Sequence, residues 1–319
     1  MKLDPFILIV TNKRDITVDF VVLEIQKRGL RYFRLNTEDI TKYKIRMEDG
    51  DPRNLILFSE ETCISISQIT SAYYRRPAFP LPSLSASPAE SAYIKSEWSA
   101  LLRTIWNALG GRWLNCPFAI QQAEDKPRQL AAARDANFKV PRTLITNDFE
   151  EAKSFSKNAT LVAKTLRHAL LDDGNGLGKV IFTNRIQINE SMRLAFSAAP
   201  IIFQDEIIKK SDIRVTVVND DVISVQIHSQ EHSDTRTDWR KGARVDLNYS
   251  IFDLPDHIET QCVKIVQSLG LRFAAIDLIL DNQGDLWFLE ANPNGQWAWI
   301  EQRTGAPITS KIVNALEKI

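Results

Sequence analysis

Three oxygen-bearing side chains near the C-terminus could together hold a metal ion. Asp277 lies inside the apolar run 273–280, Glu290 ends the run 286–290, and Asn292 follows two residues later. The polar turn between the runs predicts a β-hairpin that sets Asp277 opposite Glu290. A carboxylate in an apolar strand is costly unless paired or metal-bound, and carboxylate and amide oxygens suit Mg²⁺. The residues therefore predict a magnesium site, with a buried structural Asp277 beside a surface Glu290 as the alternative.

A lysine followed by a glycine-rich segment indicates phosphate binding. Lys164 ends the apolar run 161–163, and the segment 167–179 carries glycines that include Gly176 and Gly178. Glycines let a backbone approach a phosphate closely. Because the segment misses both the Walker A and the GxGxxG patterns, we interpret it as a lid over a nucleotide. The alternatives are a solvated lysine and a flexible hairpin turn.

An aspartate and an arginine alternate in the segment 203–214. Asp212 and Arg214 are two residues apart in a predicted strand, so they point to one face of it. An arginine there could stabilise charge on a transferring phosphoryl group, and Asp212 could hold a ribose hydroxyl. The alternative is a surface ion pair.

The segment 228–232 reads His-Ser-Gln-Glu-His and matches the H-x-x-E-H zinc signature. That signature needs both histidines on one face of a helix, whereas this segment continues an alternating strand and is followed by polar residues. The sequence therefore disfavours zinc, and stoichiometric zinc in a metal analysis would reverse that conclusion.

The N-terminal elements predict an open parallel sheet. The apolar run 6–10 indicates a buried strand. A helix capped by Asp15 or Thr17 follows and ends near Gly29, and 30–35 forms a second strand. A β-α-β opening of this kind is typical of α/β folds.

Composition and pattern predict a domain boundary near residue 115. The elements predicted before it include a hairpin at 55–58 and 64–66, a strand at 72–74 and an aromatic-rich helix at 89–109. The elements predicted after it are helices at 126–137, 149–156 and 255–269, and strands at 143–146, 161–164, 180–183, 201–206, 213–218, 222–227, 275–280 and 286–290.

Bulk composition excludes several functional classes. Lys+Arg and Asp+Glu both number 40, so the zero net charge gives no general attraction for nucleic acid or an anionic membrane. No apolar run approaches the roughly 20 residues that span a bilayer, and residues 1–10 lack the sections of a signal peptide. The three cysteines form no CxxC pair. We therefore expect a cytoplasmic protein without nucleic-acid or membrane partners.

Taken together, these motifs resemble the ATP-grasp superfamily over residues 115–319. The shared order is a strand lysine, a glycine-rich segment, an acidic hinge, Asp-x-Arg, and then Asp followed by Glu-x-Asn. The resemblance implies phosphate contacts from Lys126, Lys164, Gly176 and Gly178, an adenine hinge at Gln204, Asp205, Glu206 and Ile207, a ribose contact from Asp212, catalysis by Arg214 with Lys164, and the magnesium ligands Asp277, Glu290 and Asn292.

A finer resemblance, to the microviridin-type peptide ligases or graspetide synthetases, spans nearly the whole chain. It rests on Tyr-Arg-Arg-Pro at 74–77, on 209–216, on His-Ser-Gln at 228–230 with Asp-Trp-Arg at 238–240, and on 289–297. It implies an α/β ATP-grasp fold in three domains. These are an N-terminal open parallel-sheet pre-ATP-grasp domain at 1–115, a central ATP-grasp subdomain with a glycine-rich lid at 116–200, and a C-terminal subdomain with the magnesium site at 201–319.

The same resemblance implies a reaction and a partner. A precursor peptide would bind through its leader segment, and ATP with Mg²⁺ would convert an Asp or Glu side chain of its core to an acyl phosphate. A Ser or Thr hydroxyl, or a Lys amine, would then close a ring, and the ester-forming branch is the closer match. Candidate peptide contacts are Arg75, Arg76 and Arg240, with charged solvated loops as the alternative. A homodimer is expected.

Two other functions fit the same residues. One is an ATP-dependent ligase that joins free amino acids or adds glutamate to a protein tail, and the other is a non-catalytic peptide-binding protein on a decayed frame. The intact Lys164, Asp277, Glu290 and Asn292 speak against decay. No protein nucleophile is needed, because catalysis of phosphoryl transfer is mostly positioning and charge neutralisation.

Overall fold

The fold is that of a computed structural model, which describes residues 4–60, 62–80, 86–167, 170–171, 179–241 and 246–319. Gly176 and Gly178, with the rest of the predicted lid at 172–178, lie outside the described residues. Within the described ranges, no helix combines the length and the apolar character that crossing a membrane requires.

The described residues up to 123 contain six strands and three α-helices. Their bounds are β1 (Phe6–Thr11), α1 (Ile16–Lys27), β2 (Tyr32–Asn36), β3 (Lys44–Arg46), β4 (Ile56–Phe58), β5 (Cys63–Ser65), β6 (Ile69–Tyr74), α2 (Pro88–Leu109) and α3 (Pro117–Ala123).

The described residues that follow contain the remaining strands and helices. Their bounds are α4 (Lys126–Asp135), β7 (Thr143–Thr146), α5 (Phe149–Phe155), β8 (Leu161–Lys164), β9 (Leu170–Leu171), β10 (Lys179–Val180), β11 (Asn184–Ile186), α6 (Arg193–Phe196), β12 (Ile201–Asp205), β13 (Lys209–Val218), β14 (Asp221–Ile227), β15 (Tyr249–Ile251), α7 (Asp256–Ser268), β16 (Phe273–Asp281), β17 (Leu286–Asn292), α8 (Ala298–Thr304) and α9 (Ile308–Glu317).

The elements pack into two compact units. The first unit consists of 1–121, 271–273 and 293–319, and the second consists of 122–270 and 274–292. The C-terminal helix α9 packs on α1, so the end of the chain belongs to the first unit. The division of the sequence into three domains stays a prediction.

A three-stranded parallel sheet in the order β2-β1-β6 forms the centre of the first unit. Every residue of β1 is buried, as its continuous apolar run predicts. Asp15 caps α1 by accepting a hydrogen bond from the Thr17 N–H, and Gly29 ends the helix region at a φ of 68°. The predicted parallel-sheet opening is therefore confirmed.

The long helix α2 has a buried half and an exposed half. A capping box formed by Ser87 and Glu90 begins it. Near its end, Trp106 packs edge-on against Trp113, with the ring centroids 5.5 Å apart. Tyr93, in the first half, is 67% exposed. The aromatic residues of this helix therefore divide between the core and the surface.

Asn115 links three backbone segments of the first unit. Its side chain is 4% exposed and accepts hydrogen bonds from the Arg272 and Phe273 N–H groups at 2.8 and 3.0 Å. It donates to the carbonyls of Phe273 and Pro293 at 2.7 and 3.1 Å. The amide thereby fixes the segments on either side of the β16–β17 hairpin.

Asn115→Ala is expected to lower the free energy of unfolding by about 2–4 kcal/mol, because it leaves several buried backbone groups without partners. Urea unfolding followed by far-UV circular dichroism measures the change. Asn107→Ala is the matched control, because Asn107 is exposed on α2 and alanine favours a helix. Equal unfolding midpoints for the two variants would contradict the role given to Asn115.

Two larger sheets form the second unit. One has the order β11-β8-β12-β7, and the other has the order β15-β14-β13-β16-β17. The predicted strand at 180–183 is wrong in its bounds, because β10 ends at Val180 and pairs with β9, whereas β11 begins at Asn184 and pairs with β8. Between them, the N–H of Thr183 donates to the Asp238 side chain instead of to a strand.

The hairpin β16–β17 has the predicted register. Asp277 pairs directly with Glu290, and the next pair is Leu278 with Phe288. The step skips Leu289, so β17 carries a one-residue bulge beside the acidic pair. Directly opposed residues of an antiparallel pair share one face of the sheet, so both carboxylates project to the same side.

Candidate active site

The acidic pair lies in the second unit, on the adjacent strands β16 and β17. Asp277 is 9% exposed, and the Glu290 side chain is 25% exposed. Asn292 is two residues beyond Glu290 in β17, and alternate residues of a strand share a face. The structure thus brings the three predicted magnesium ligands to one side of the hairpin. Because Glu290 is partly exposed, its role as a magnesium ligand and its alternative as a strand-end surface residue both stay predictions.

Gln129 of α4 holds the strand between two of these ligands. Its side chain donates to the Ala291 carbonyl at 2.7 Å and accepts from the Ala291 N–H at 3.0 Å. Gln129 is 3% exposed. This glutamine is a site residue that sequence reasoning missed, since a lone glutamine in a helix carries no signal of its strand partner.

Arg214 is the direct partner of Asp277. Its NH1 donates to Asp277 Oδ1 at 2.6 Å, and the arginine is 6% exposed. Strands β13 and β16 are neighbours in the sheet, which brings the two residues together. The alternative of a surface ion pair between Asp212 and Arg214 is therefore wrong, because both side chains are buried and their partners lie elsewhere.

Asp212 is held by internal groups. Lys209 Nζ donates to its two oxygens at 2.9 and 2.7 Å, and the Ser229 hydroxyl donates to Oδ2 at 2.5 Å. Lys209 also contacts the Thr237 carbonyl at 3.3 Å. Asp212 is 5% exposed, and burial raises its pKa against the opposing effect of Lys209. In this arrangement Asp212 ties β13 to the segment that follows β14, and its ribose contact stays a prediction.

Cationic side chains surround Glu290. Lys126 Nζ lies 4.0 Å from Glu290 Oε2 and donates to the Thr165 carbonyl at 2.7 Å. Arg240 NH1 lies 3.6 Å from Glu290 Oε1. Burial alone would raise the pKa of Glu290, but Arg240, Lys126 and Lys164 lower it. The site therefore favours an ionised Glu290.

The pKa of the neighbouring Asp277 shifts the other way. Burial raises the pKa of Asp277, and the repulsion from Glu290 adds to that shift, whereas Arg214 opposes it. When two carboxylates lie this close, their mutual repulsion and the nearby cations move their pKa values in opposite directions. A divalent cation between them would favour the charged form of both.

The buried Asp238 and the exposed Arg240 form an ion pair in the segment after β14. Asp238 is 4% exposed, and it accepts hydrogen bonds from Arg240 Nε at 2.8 Å and NH2 at 2.9 Å. In the described part of the predicted loop at 230–244, Thr235 and Asp238 are buried, whereas Glu231, Asp234 and Arg236 are exposed, so the solvated alternative fails for these two buried residues alone. Ser229 and Thr235 are fully buried, and the Thr235 hydroxyl donates to the Ser229 carbonyl at 2.6 Å.

The two carboxylates of the predicted adenine hinge are bound by arginines of the protein itself. Arg142 donates to both oxygens of Asp205 at 3.0 Å, and Arg185 Nε donates to both oxygens of Glu206 at 2.7 Å. The Gln204 amide is 2% exposed and donates to the Thr143 hydroxyl at 3.0 Å. A base at this hinge would therefore meet the backbone of these residues and the half-buried Ile207, and the hinge stays a prediction.

The two adjacent arginines predicted to contact a peptide, Arg75 and Arg76, have opposite environments. Arg75 is 1% exposed and donates to the Asn294 and Gly295 carbonyls at 3.1 Å. Its Nε lies 3.4 Å from Asp15 Oδ2. The solvated alternative is wrong for Arg75, because its guanidinium is buried and donates to carbonyl groups of the protein. Arg76 is exposed, with a φ of 47°, and its NH2 donates to the Asn294 carbonyl at 3.5 Å, so its contact with a peptide stays a prediction.

The zinc alternative finds no support in the described residues. They contain no group of three or more His, Cys, Asp or Glu side chains arranged to hold a metal. The strand ends at Ile227, and 229–231 forms a short 3₁₀ turn. His228 pairs with Ser250 at 3.1 Å, and His232 lies 3.7 Å from Asp246, so the two histidines serve different partners.

The donor set fits magnesium better than zinc. Asp277 and Glu290 supply carboxylate oxygens and Asn292 an amide oxygen, which is a hard set that needs further oxygens from water or phosphate. The cations Lys126, Lys164, Arg214 and Arg240 act electrostatically on this pair, and Asp238 is a third carboxylate in the cluster, paired with Arg240. The excess of these four cations over three carboxylates favours an anionic ligand such as a polyphosphate.

The pKa of Lys164 predicts how nucleotide affinity depends on pH. Burial lowers this pKa to about 8, with Glu290 opposing and Lys126 and Arg240 adding to the shift. The lysine is thus charged below pH 8 and loses its proton as the pH rises through that value. ATP affinity is expected to weaken by up to about tenfold per pH unit above pH 8, measured with a fluorescent nucleotide in Mg²⁺ buffer.

Lys164→Arg is the matched variant, because a guanidinium keeps its charge across this range. It should give a flat pH profile between pH 7 and 9.5. A wild-type profile as flat as that of the arginine variant would contradict the assignment of Lys164 to a phosphate.

The chain matches two family models. A RimK-like ATP-grasp domain matches residues 123–316, and an MvdD pre-ATP grasp domain matches residues 6–121. A probable alpha-L-glutamate ligase of Mannheimia succiniciproducens is 31% identical over 211 residues, which cover 64% of this chain and 67% of that protein.

Two solved structures resemble the whole chain. The RiPP-associated ATP-grasp ligase of Chryseobacterium gregarium, solved with ADP and a leader and core peptide, has a TM-score of 0.88 and 27% identity, covering 98% of this chain and 97% of that one. The macrocyclase MdnC of Microcystis aeruginosa, solved with its precursor peptide MdnA, has a TM-score of 0.84 and 26% identity, covering 98% and 99%.

Proposed function

The chain belongs to the RimK-like ATP-grasp ligase family, and on that premise we propose that it is a peptide macrocyclase. Its substrate is a ribosomal precursor peptide bound through a leader segment. ATP activates Asp or Glu side chains of the core, and hydroxyl or amine groups of the same peptide close ester or amide rings.

The observation that carries the proposal is the Asp277–Glu290 pair among four cationic side chains. Paired carboxylates with cations around them suit a metal–polyphosphate complex. Phosphoryl transfer needs positioning and charge neutralisation and no protein nucleophile, so the acid of the substrate itself attacks the nucleotide.

The chain's own residues position and neutralise the reactants. Asp277, Glu290 and Asn292 would hold Mg²⁺, which when bound neutralises phosphate charge. Lys126 and Lys164 bind the phosphates, and Arg214 and Arg240 stabilise charge on the transferring group and the attacking acid. A substrate carboxylate oxygen attacks the γ-phosphorus and releases ADP. A hydroxyl oxygen of the peptide then attacks the acyl carbon, loses its proton and releases phosphate.

Two observations favour a peptide over free glutamate as the substrate. The match to the pre-ATP grasp model covers residues 6–121, and the two solved peptide-bound ligases align over 98% of the chain. The glutamate ligase aligns over 64% of it. Addition of glutamate remains the second candidate, since that relative is 31% identical to this chain over 211 residues.

The test uses the peptide encoded beside this gene, with a core rich in Thr and in Asp or Glu. Incubated with the enzyme, ATP and Mg²⁺, the peptide should lose the mass of one water per ring, and tandem mass spectrometry should locate the crosslinks. An unchanged peptide alongside glutamate-dependent ATP cleavage would support the second candidate instead. The homodimer, the cytoplasmic location and the three-domain division accompany this proposal as predictions.

A further inference from the structure

The two edges of the Arg240 guanidinium have different partners. Asp238 binds the edge formed by Nε and NH2, at 2.8 and 2.9 Å, and also accepts the Arg240 backbone N–H at 3.1 Å. The other terminal nitrogen, NH1, lies 3.6 Å from Glu290 Oε1, which is longer than a hydrogen bond. One edge is therefore fixed, and the other is loosely engaged.

Asp238 is suited to fixing the Nε–NH2 edge of Arg240. It is 4% exposed, and its second oxygen also accepts the Thr183 N–H at 3.1 Å. The side chain of Arg240 is 46% exposed, and at 3.6 Å its NH1 is not hydrogen-bonded to Glu290, so we call the NH1–NH2 edge the open edge. A guanidinium can bind two carboxylates, one on each edge, each through parallel hydrogen bonds.

Glu290 is correspondingly loosely held. Its contacts to Lys126 at 4.0 Å and to Arg240 at 3.6 Å are both electrostatic. A divalent cation binds an ionised carboxylate through shorter bonds and repels a guanidinium beside it. A cation at Glu290 therefore releases the open edge of Arg240 while Asp238 keeps the opposite edge in place.

We propose that Arg240 exchanges carboxylates during turnover. It is a counter-ion of Glu290 until a divalent cation with nucleotide occupies the acidic pair, and its open edge then receives the acidic side chain of the substrate. Asp238 is the positioning residue that aims this edge. The inference rests on the proposed function, and it makes acid recognition conditional on the metal–nucleotide complex.

The probe is capped glutamate, N-acetyl-L-glutamate methylamide, with the capped glutamine as its neutral control. Binding is measured by saturation-transfer NMR with and without Mg²⁺ and AMPPNP. The wild type should prefer the acid by about tenfold with Mg²⁺ and AMPPNP, and by much less without them. An equal acid preference under both conditions would overturn the proposal.

Glu290→Gln separates the exchange from a simple effect of charge on metal binding. The amide cannot pair with Arg240 as an ion, so the open edge is free and the acid preference should appear without metal. Adding Arg240→Met to that variant should remove the preference again. A Glu290→Gln protein that shows no metal-independent preference would overturn the exchange.

Asp238→Asn tests the positioning role. It should weaken binding of the capped acid in the presence of Mg²⁺ and AMPPNP by about tenfold, while the affinity for AMPPNP itself stays within twofold of wild type. Loss of both affinities together would reduce Asp238 to a structural role. These binding measurements do not need ring formation. They can therefore be interpreted even if the peptide assay shows no rings, and ring formation in that assay would not compensate for a negative binding result.

Discussion

Glu290→Gln is expected to lower ATP-dependent ligation by about 10³-fold, which corresponds to about 4 kcal/mol of transition-state stabilisation. The substitution keeps the shape of the side chain but removes the charge opposite Asp277. The lost carboxylate weakens cation binding, and Lys126 loses its acidic neighbour at 4.0 Å. Phosphate release from ATP in the presence of the peptide is the measurement.

Asp285→Asn is the control for this variant. It makes the same acid-to-amide change in the same hairpin, but Asp285 is 42% exposed and pairs with Lys139 on the surface, where ion pairs contribute little. Its turnover should match the wild type. If Glu290→Gln kept turnover within about tenfold of Asp285→Asn, the acidic pair would not be the metal site.

Arg214→Met is expected to be the most destabilising single change in the site, and to abolish turnover. It removes the 2.6 Å partner of Asp277 and leaves a buried carboxylate uncompensated. Breaking a buried pair in this way costs about 3–5 kcal/mol. Thermal unfolding at neutral pH should show the loss, and a labelled nucleotide should still bind to the folded fraction.

The double variant Arg214→Met with Asp277→Asn separates stability from catalysis. It removes the uncompensated charge, so the unfolding temperature should recover most of the loss while turnover remains absent. Arg193→Met is the surface control, since Arg193 is half exposed in a network of surface ion pairs. A single Arg214→Met variant as stable as Arg193→Met would contradict the buried pairing.

Sequence reasoning predicted the acidic pair because its signal is local. Two apolar runs joined by a polar turn define a hairpin, and the turn length sets which residues are opposed, so the register of Asp277 with Glu290 followed from a few residues. The β-α-β opening was predictable for the same reason. The bulge at Leu289 was not, because no glycine marks it.

The partners of the charged residues could not be read from the sequence, because they lie far apart along it. Arg214 and Asp277 are separated by 63 residues, and Gln129 and Ala291 by 162. Arg75 and Asp238 are buried through such contacts, so the solvated alternative was wrong for these two residues, whereas their neighbours Arg76 and Arg240 are exposed. The i, i+2 spacing of Asp238 and Arg240 is the one local signal that could have indicated their pairing.

The bulge in β17 has a practical consequence for labelling the protein. Leu289 is the extra residue of the bulge, and it lies between Glu290 and the turn at 282–284. An irregularity in the ladder therefore separates the Asp277–Glu290 pair from the turn. The three residues of the turn are exposed. A short epitope or fluorophore-acceptor tag inserted there should leave the acidic pair aligned, whereas deletion of Leu289 would remove the bulge and make Leu278–Phe288 and Asp277–Glu290 consecutive pairs of a regular ladder.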